Sequence, residues 1–318
     1  MKKVLIFGGT GFVGTQVCER LNQLPCRVTV ASRRSASASH LQLLPLVNVV
    51  PIDLNDSAAL AALVAGHDAV INLIAILHGS EEAFQKVHVQ WPLTLIRACK
   101  AAGVRRIVHI SALGATPQSP SRYQRSKARG EAALLGAGLD VTVLRPSVIF
   151  GANDKFLNTF ARLQQVFPVI PLAGSTARFQ PVWVGDVASA VLHCLHDTTT
   201  IGQVYEACGP DVFTLRQLVQ LAGRWAGVNH GRGRPIVRLP DALARLQAFF
   251  MELAPGDPML SRDNLDAMKT DNIASGRLPG LRELGIAPAS LEAIGPTYLG
   301  ARGLRSGLMA KRKTAGRF

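Results

Sequence analysis

Near the start of the chain, Gly8-Gly9-Thr10-Gly11-Phe12-Val13-Gly14 stands between a short apolar run, Lys3–Phe7, and an amphipathic stretch. A glycine triad between a strand and a helix is suited to a diphosphate. Gly8 permits the tight turn, Gly11 lets a pyrophosphate approach the backbone, and Gly14 lets the helix pack on the sheet. The first turn of that helix, with Thr10, Phe12 and Val13 around it, offers unpaired N–H groups and a partial positive charge. The chemistry these residues suit is dinucleotide binding.

The end of the second strand-like run bears on which dinucleotide. An acid there would bond the ribose hydroxyls of NAD. Here the run ends Ala31-Ser32-Arg33-Arg34, with no acid nearby. The guanidinium forks of Arg33 and Arg34 suit a 2′-phosphate, so NADPH (NADP) is favoured and NAD stays open. Asp53-Leu54, after the third run, is expected to meet the adenine. Ala75, after the fourth, is placed among the cofactor-lining residues.

A second constellation is Tyr123-Gln-Arg-Ser-Lys127. A spacing of four puts both side chains on one helical face. Lys127 can bind the nicotinamide ribose, and its charge lowers the pKa of the neighbouring phenol. Tyr123 can then act as general acid or base near neutral pH.

These residues need a frame. The first half alternates β-branched runs with helix-like segments, the pattern of a parallel sheet wound with crossover helices. Strands are predicted at Lys3–Phe7, Arg27–Ala31, Val47–Ile52, Ala69–Ile74, Arg106–Ile110 and Val141–Leu144. Helices are predicted at Phe12–Leu24, Ser57–Ala65, Ala83–Ala102 and Arg122–Leu135. Several strands are apolar on both faces, as buried parallel strands should be. The fold class is therefore α/β, a Rossmann-type doubly wound parallel sheet. After Pro146, Gly and Pro become frequent and strands sparse, with helices expected at Asp186–Leu195, Thr214–Ala226, Asp241–Leu253 and Ser261–Met268. The expected division is a dinucleotide-binding domain at 1–150 with 180–200 packing back on it, a smaller and mostly helical substrate or partner lobe at 151–300, and a basic tail at 301–318. Asp186 is expected to cap its helix. Asp241–Leu253 is amphipathic, which fits packing on the lobe or a docking face for a membrane surface or partner protein. His88 and His109 lie in apolar patterns and read as structural.

Composition narrows the class. The chain has 318 residues, 48% hydrophobic and 18% charged, enough for a sizeable core and too apolar for disorder. The apolar start imitates a signal peptide, but Gly8-Gly9 ends it early, and Ala69–Leu77 is about half the length of a membrane span. A cytoplasmic protein is expected, at most peripheral at the inner face of the membrane. Five scattered cysteines without a C-x-x-C pair imply neither a disulfide framework nor a zinc site. The formal charge is +14, with nine basic residues and no acid between Ala83 and Gly130, and six basic residues and no acid from Ala293 to Phe318. Such a field attracts phosphate-bearing ligands, anionic lipid or nucleic acid. No zinc-finger spacing or RNP-like aromatic run is present, so no specific nucleic-acid partner is expected.

Together, the glycine turn, the Tyr-x-x-x-Lys pair and the lobe beginning near Arg145-Pro146 resemble the short-chain dehydrogenase/reductase superfamily, of the extended or atypical, NAD-dependent epimerase/dehydratase-like kind. Four further stretches are similar to bacterial relatives of the NADPH-binding accessory subunit of respiratory complex I. They are Arg145-Pro-Ser-Val-Ile-Phe-Gly151, Asp154-Lys-Phe-Leu-Asn158, Gln180-Pro-Val-Trp-Val184 with Asp186-Val187, and Leu260-Ser-Arg-Asp-Asn-Leu265. The likeness covers roughly residues 1–300. It implies a catalytic Ser, Tyr and Lys set, and here the chain departs from the pattern. After the fifth strand it reads His109-Ile-Ser111-Ala112, and gapless alignment of the strand ends puts Ala112 at the active serine's place. Ser111 serves only if the strand end shifts by one residue. A missing donor of this kind is worth about 10²–10³ in rate. Three readings stay open: a complex I accessory-like protein with a mainly structural cofactor and a respiratory complex or anionic membrane surface as partner; an active NADPH-dependent reductase or sugar-nucleotide epimerase/dehydratase using Tyr123, Lys127 and Ser111; and, remotely, a nucleic-acid binder. Neither substrate nor oligomeric state is readable.

Overall fold

The computed structural model describes residues 1–33, 38–253, 256 and 258–300. In chain order the first elements are β1 (Lys3–Phe7), α1 (Phe12–Leu21), β2 (Arg27–Ser32), β3 (Val47–Pro51), α2 (Ser57–Val64), β4 (Ala69–Asn72), α3 (Glu81–Gln85), α4 (Trp91–Ala102), β5 (Arg106–Ile110), α5 (Arg122–Leu135) and β6 (Asp140–Pro146). They continue with β7 (Ile149–Phe150), α6 (Leu157–Val166), β8 (Ile170–Leu172), β9 (Arg178–Phe179), β10 (Val182–Trp183), α7 (Val184–His196) and β11 (Val204–Ala207). The last are β12 (Phe213–Thr214), α8 (Leu215–Trp225), β13 (Ile236–Arg238), α9 (Asp241–Leu253), α10 (Arg262–Ala267) and α11 (Leu291–Leu299).

The six predicted strands are the first six strands, and a seventh joins them. The sheet order is β3-β2-β1-β4-β5-β6-β11, parallel throughout. The order reverses between β1 and β4, and sheets of this kind bind ligands outside the strand C-termini at that reversal. This is the Rossmann-type doubly wound sheet that the alternating pattern predicts. Strand β11 escapes sequence reading because its four residues, Val-Tyr-Glu-Ala, are short and contain an acid. Glu206 is nonetheless buried, its carboxylate accepting from the Ser275 N–H at 2.6 Å and hydroxyl at 3.0 Å.

Two compact units divide the chain. The first is Met1–Pro146 with Val184–Ala207 and Ala274–Ala287; the second is Ser147–Trp183, Cys208–Ile273 and the chain from Pro288. In the first unit, α2, α4 and α5 bury Leu60, Val64, Leu95, Cys99 and Leu134 against Leu5, Phe7, Val70, Ile107 and Val141 of the sheet. Helices α1 and α7 pack together, burying Val17, Cys18, Leu21, Val187 and Val191. The second unit is mostly helical, with a core of Phe150, Leu157, Phe179, Leu215, Leu218, Val219 and Leu291 among short two-stranded ladders. Its loop at 151–158 is organised by the buried Asp154, whose carboxylate accepts from the N–H groups of Gly151, Phe156 and Asn158 and from the Tyr298 hydroxyl.

Local chemistry sets the helix ends. Asp56 caps α2 through the N–H groups of Ala58 and Ala59, Ser121 caps α5 through Gln124, and Gly103 ends α4 at φ 71°. Two expectations are corrected. Asp186 is not a cap: α7 starts at Val184, so Asp186 lies buried inside its first turn. The predicted helix Ala83–Ala102 is interrupted at Lys86–Gln90 by a π-helical turn joining α3 to α4. Gly130 of α5 lies against that turn so closely that a Cβ there would sit 1.8 Å from the His88 carbonyl oxygen.

Candidate functional site

The glycine turn is built by backbone proximity. Gly8 has φ +81°, and a Cβ on it would meet the Leu73 carbonyl carbon at 3.0 Å, just past β4. A Cβ on Gly14 would lie 2.4 Å from the Gly8 oxygen and 2.5 Å from Gly9 Cα, so only glycine lets α1 start this close to the turn. Gly11 differs: it is exposed, and a Cβ there would find only the Gly8 oxygen, at 3.3 Å. Gly11 is also the N-cap of α1, and no side chain caps it. The first-turn N–H groups, beside Phe12 and Val13, therefore have no capping side chain. An uncapped helix start with glycine at its open face and no acid in the first turn fits a diphosphate.

Other cofactor candidates gather at the same edge. The Ile52 N–H bonds the Ser32 carbonyl at 3.0 Å, tying the end of β2 to the chain after β3. Arg33 is exposed directly beyond Ser32; Arg34 lies outside the described residues. One carboxylate oxygen of Asp53 accepts from the Asn55 backbone (3.0 Å) and side-chain amide (2.8 Å). Leu54 is half-buried against the core, and Ala75 is exposed three residues past β4.

Lys127 and Ser111 meet at the end of β5. Lys127 is buried, and its Nζ donates to the carbonyl of Ile110 at 2.7 Å, the residue before Ser111. Burial pulls its pKa down to about 8, opposed by the Glu131 charge one turn along α5. Glu131 is itself held by a bidentate pair with Arg145, at 2.5 and 3.0 Å. The Ser111 N–H bonds Leu144 at 2.7 Å, carrying the β5–β6 ladder one residue past the strand. Its hydroxyl is buried without a hydrogen-bond partner among the described residues. An orphaned hydroxyl beside a buried lysine is a donor in waiting. Ala112 is buried too, so both positions at this strand end are enclosed.

Tyr123 is half-buried, its ring edge-on to Phe84 at 6.0 Å and to His88 at 5.4 Å. Three residues organise this corner: Asn72 and Ser126, which the sequence expectations omit, and His88, read there as structural and here buried with both ring nitrogens bonded. Nε2 of His88 accepts from the Ile76 N–H at 3.1 Å, so Nδ1 carries the proton and donates to Ser126 Oγ at 2.8 Å. Ser126 in turn donates to the Tyr123 carbonyl at 2.7 Å. Burial, then the Lys127 charge, depress the His88 pKa to about 3, so the ring is neutral at physiological pH. Asn72, at the end of β4, accepts from Trp91 Nε1 at 3.0 Å and lies 3.1 Å from His109 Nδ1. The signal for Asn72 was a polar residue inside the apolar run Ala-Val-Ile-Asn-Leu-Ile. The apolar pattern around His88 marks it as structural, while the π-helical turn that aims it is invisible in that pattern. Among the described residues no group of three or more His, Cys, Asp or Glu is placed to hold a metal.

Comparison with known proteins agrees with this geometry. Residues 4–208 match the model of the NAD dependent epimerase/dehydratase family. The chain is similar to "NADH dehydrogenase [ubiquinone] 1 alpha subcomplex subunit 9, mitochondrial" of Arabidopsis thaliana, 32% identical over 317 residues, covering 92% of this chain and 76% of the relative. The protein of the same name from Mus musculus is 31% identical, covering 90% and 77%. In fold the chain is similar to the NADPH-dependent quinone oxidoreductase QOR2 of Escherichia coli solved with NADPH, at TM-score 0.73 and 23% identity over 92% of this chain and 98% of that one. The dTDP-glucose 4,6-dehydratase DesIV of Streptomyces venezuelae, solved with NAD, gives TM-score 0.72 and 21% identity over 96% and 98%. The architecture is one that holds a nicotinamide dinucleotide. Among the described residues no helix is long and apolar enough to cross a membrane.

Proposed function

The chain belongs to the NAD dependent epimerase/dehydratase family, and on that premise we propose that it holds NADPH as a largely fixed cofactor in a complex I accessory-like role. The uncapped start of α1 above Gly11 carries the reading. Its first-turn N–H groups receive the diphosphate, Arg33 pairs with the 2′-phosphate, and Asp53, Leu54 and Ala75 line the adenosine side. Lys127, positioned by the Ile110 carbonyl, faces the ribose hydroxyls with a proton it still holds at neutral pH. The nicotinamide, when bound, supplies hydride transfer. The similarity to subunits named for NADH dehydrogenase supports a respiratory complex as partner, with the protein inside the cell at the inner face of the membrane.

A second reading is an active reductase or sugar-nucleotide epimerase. The buried, partnerless Ser111 hydroxyl beside Lys127 favours it. There Tyr123 would hold or release a proton at its phenol, and Ser111 would donate to a substrate carbonyl.

Titration of the purified protein with NADPH and NADH, with mass analysis of any nucleotide released on denaturation, tests both. Tight NADPH and weak NADH binding is the expected result; failure to bind either sinks both readings. Tyr123→Phe then separates them, since an enzyme loses turnover while keeping the nucleotide and a holder has no turnover to lose.

A further inference from the structure

We propose that the second unit carries a docking surface for an anionic phospholipid bilayer, formed by α9 and by the chain around β8 and β13. Leu243, Leu246, Phe250 and Leu253 of α9 are all exposed, from 52% to 67%. At about 100° per residue they fall on one narrow stripe. The opposite side of α9 buries Ala244 and Ala248. Ion pairs Arg245–Asp266 and Arg262–Glu252 tie α9 to α10, and the Arg262 guanidinium covers the Phe249 ring at 5.4 Å. The helix is therefore fixed with its apolar stripe outward. The chain enters α9 from β13, with the Leu239 N–H bonded to Leu172 at the end of β8. Beside that ladder Val166, Phe167, Val169 and Val237 are also exposed. Eight exposed apolar side chains on α9 and the adjoining β8–β13 chain are more than the scattered single residues normal on a monomer's surface.

Charge chooses the occupant. Residues 155–183 and 212–240 contain eight Lys and Arg and no acid. Arg162 lies one turn before Val166, Arg232 and Arg238 are exposed, and Arg234 is bonded to Gln164, two residues from Val166. Although Arg178 pairs with Asp271, Arg162, Arg232 and Arg238 stand exposed, and apolar side chains among such guanidinium groups suit acyl chains below a layer of phosphates. A second copy of this chain would set the same arginines against each other. The 18 residues from 301 to 318 add six more basic residues and no acid.

The inference stands on the second unit's surface and not on the nucleotide reading. Its test is flotation of the full chain with vesicles of phosphatidylcholine, alone or mixed with phosphatidylglycerol. Binding is expected only with the anionic lipid, weakening at high salt. The triple variant Phe167→Ser, Leu246→Ser, Phe250→Ser should bind about tenfold less, as should Arg232→Glu with Arg238→Glu. NADPH affinity and melting, measured on each variant, keep misfolding apart from loss of docking; a misfolded variant is replaced by Phe167→Ser alone. Parent-like vesicle binding by the triple variant would overturn the proposal, leaving general charge or the 301–318 tail as the cause. So would equal binding to neutral vesicles, or vesicle-independent dimerisation that Phe250→Ser abolishes. Capture of an acidic protein without vesicle binding would overturn it as well.

Discussion

The Nδ1–H of His88 is aimed at the hydroxyl of Ser126, 2.8 Å away, because the other ring nitrogen is already an acceptor for the Ile76 amide. An amide N–H can only donate, so the tautomer is set by the backbone. Ser126 passes the polarity on to the Tyr123 carbonyl. A neutral histidine thus fixes the helix turn that carries the Tyr123 and Lys127 side chains.

That neutrality predicts an acid limb in stability. His88 is depressed to about 3, and His109, fully buried, also lies well below the ordinary 6.5. Between those values and 6.5 the unfolded chain binds more protons than the folded one. Stability should therefore fall as pH drops below about 6.5, by up to about 1.4 kcal/mol per unit for each ring. Melting curves from pH 7 to 4 should show this slope, and His88→Gln should make it shallower. An unchanged slope in the variant would contradict the assignment.

Lys127 makes the opposite limb. Its folded pKa of about 8 lies below the 10.5 of a free lysine, so the burial penalty is present at neutral pH and relieved between about 8 and 10.5. Stability should rise through that window. On the proposed function, NADPH affinity should move the other way, falling above pH 8 as the ammonium that would face the ribose is lost. Lys127→Met should abolish the pH dependence of binding and lower affinity at pH 7 about tenfold or more.

Two glycines should behave differently. Gly14→Ala forces the Gly8–Gly9 backbone apart and should cost about 3 kcal/mol of stability along with nucleotide binding. Gly11→Ala meets only the Gly8 oxygen, at a tight 3.3 Å that a shift of a few tenths of an ångström relieves, but it raises a methyl where the proposed diphosphate would approach. It should leave the melting temperature within a few degrees of the parent while weakening NADPH binding. Parallel melting and titration of the pair check this.

Arg106 tests the sheet's far end. It is buried at the start of β5, its guanidinium donating to the carbonyls of Asp140 and Cys194 and to Thr142 and Thr200 hydroxyls. It pins the C-terminus of α7 to the sheet, and burial lowers its pKa from the usual arginine value. Arg106→Met leaves those acceptors unsatisfied and should cost about 3–5 kcal/mol, read by chemical denaturation. Nucleotide affinity of the folded fraction should not change.

Much of this was legible in the residues, for reasons that are local. Apolar runs such as Val-Leu-Ile-Phe bury both faces and admit only a central parallel strand, and the glycine turn states its own geometry. What escaped depends on partners far along the chain. Strand β11 exists because β6 offers it a ladder and Ser275 satisfies Glu206. Helix α6 was unread because its stripe faces α8, whose Gly223 admits Gln164 at backbone range. The π-helical turn follows from the approach of Gly130, which no pattern within 83–102 encodes. In the site, glycines and the Tyr-x-x-x-Lys pair are visible by type, while Asn72, His88 and Ser126 act only through distances.

The first unit is assembled from three separate stretches of chain, the last ending at Ala287. A ribosome making this protein releases β6 long before β11 and the 274–287 strap exist. At roughly 5–20 residues per second, the sheet waits on the order of ten seconds with an open edge at β6. Such an edge recruits stray strands until its own arrives. No truncation near residue 150 frees a finished nucleotide-binding body, and a stop codon anywhere before Ala287 should yield a chain that aggregates or is degraded.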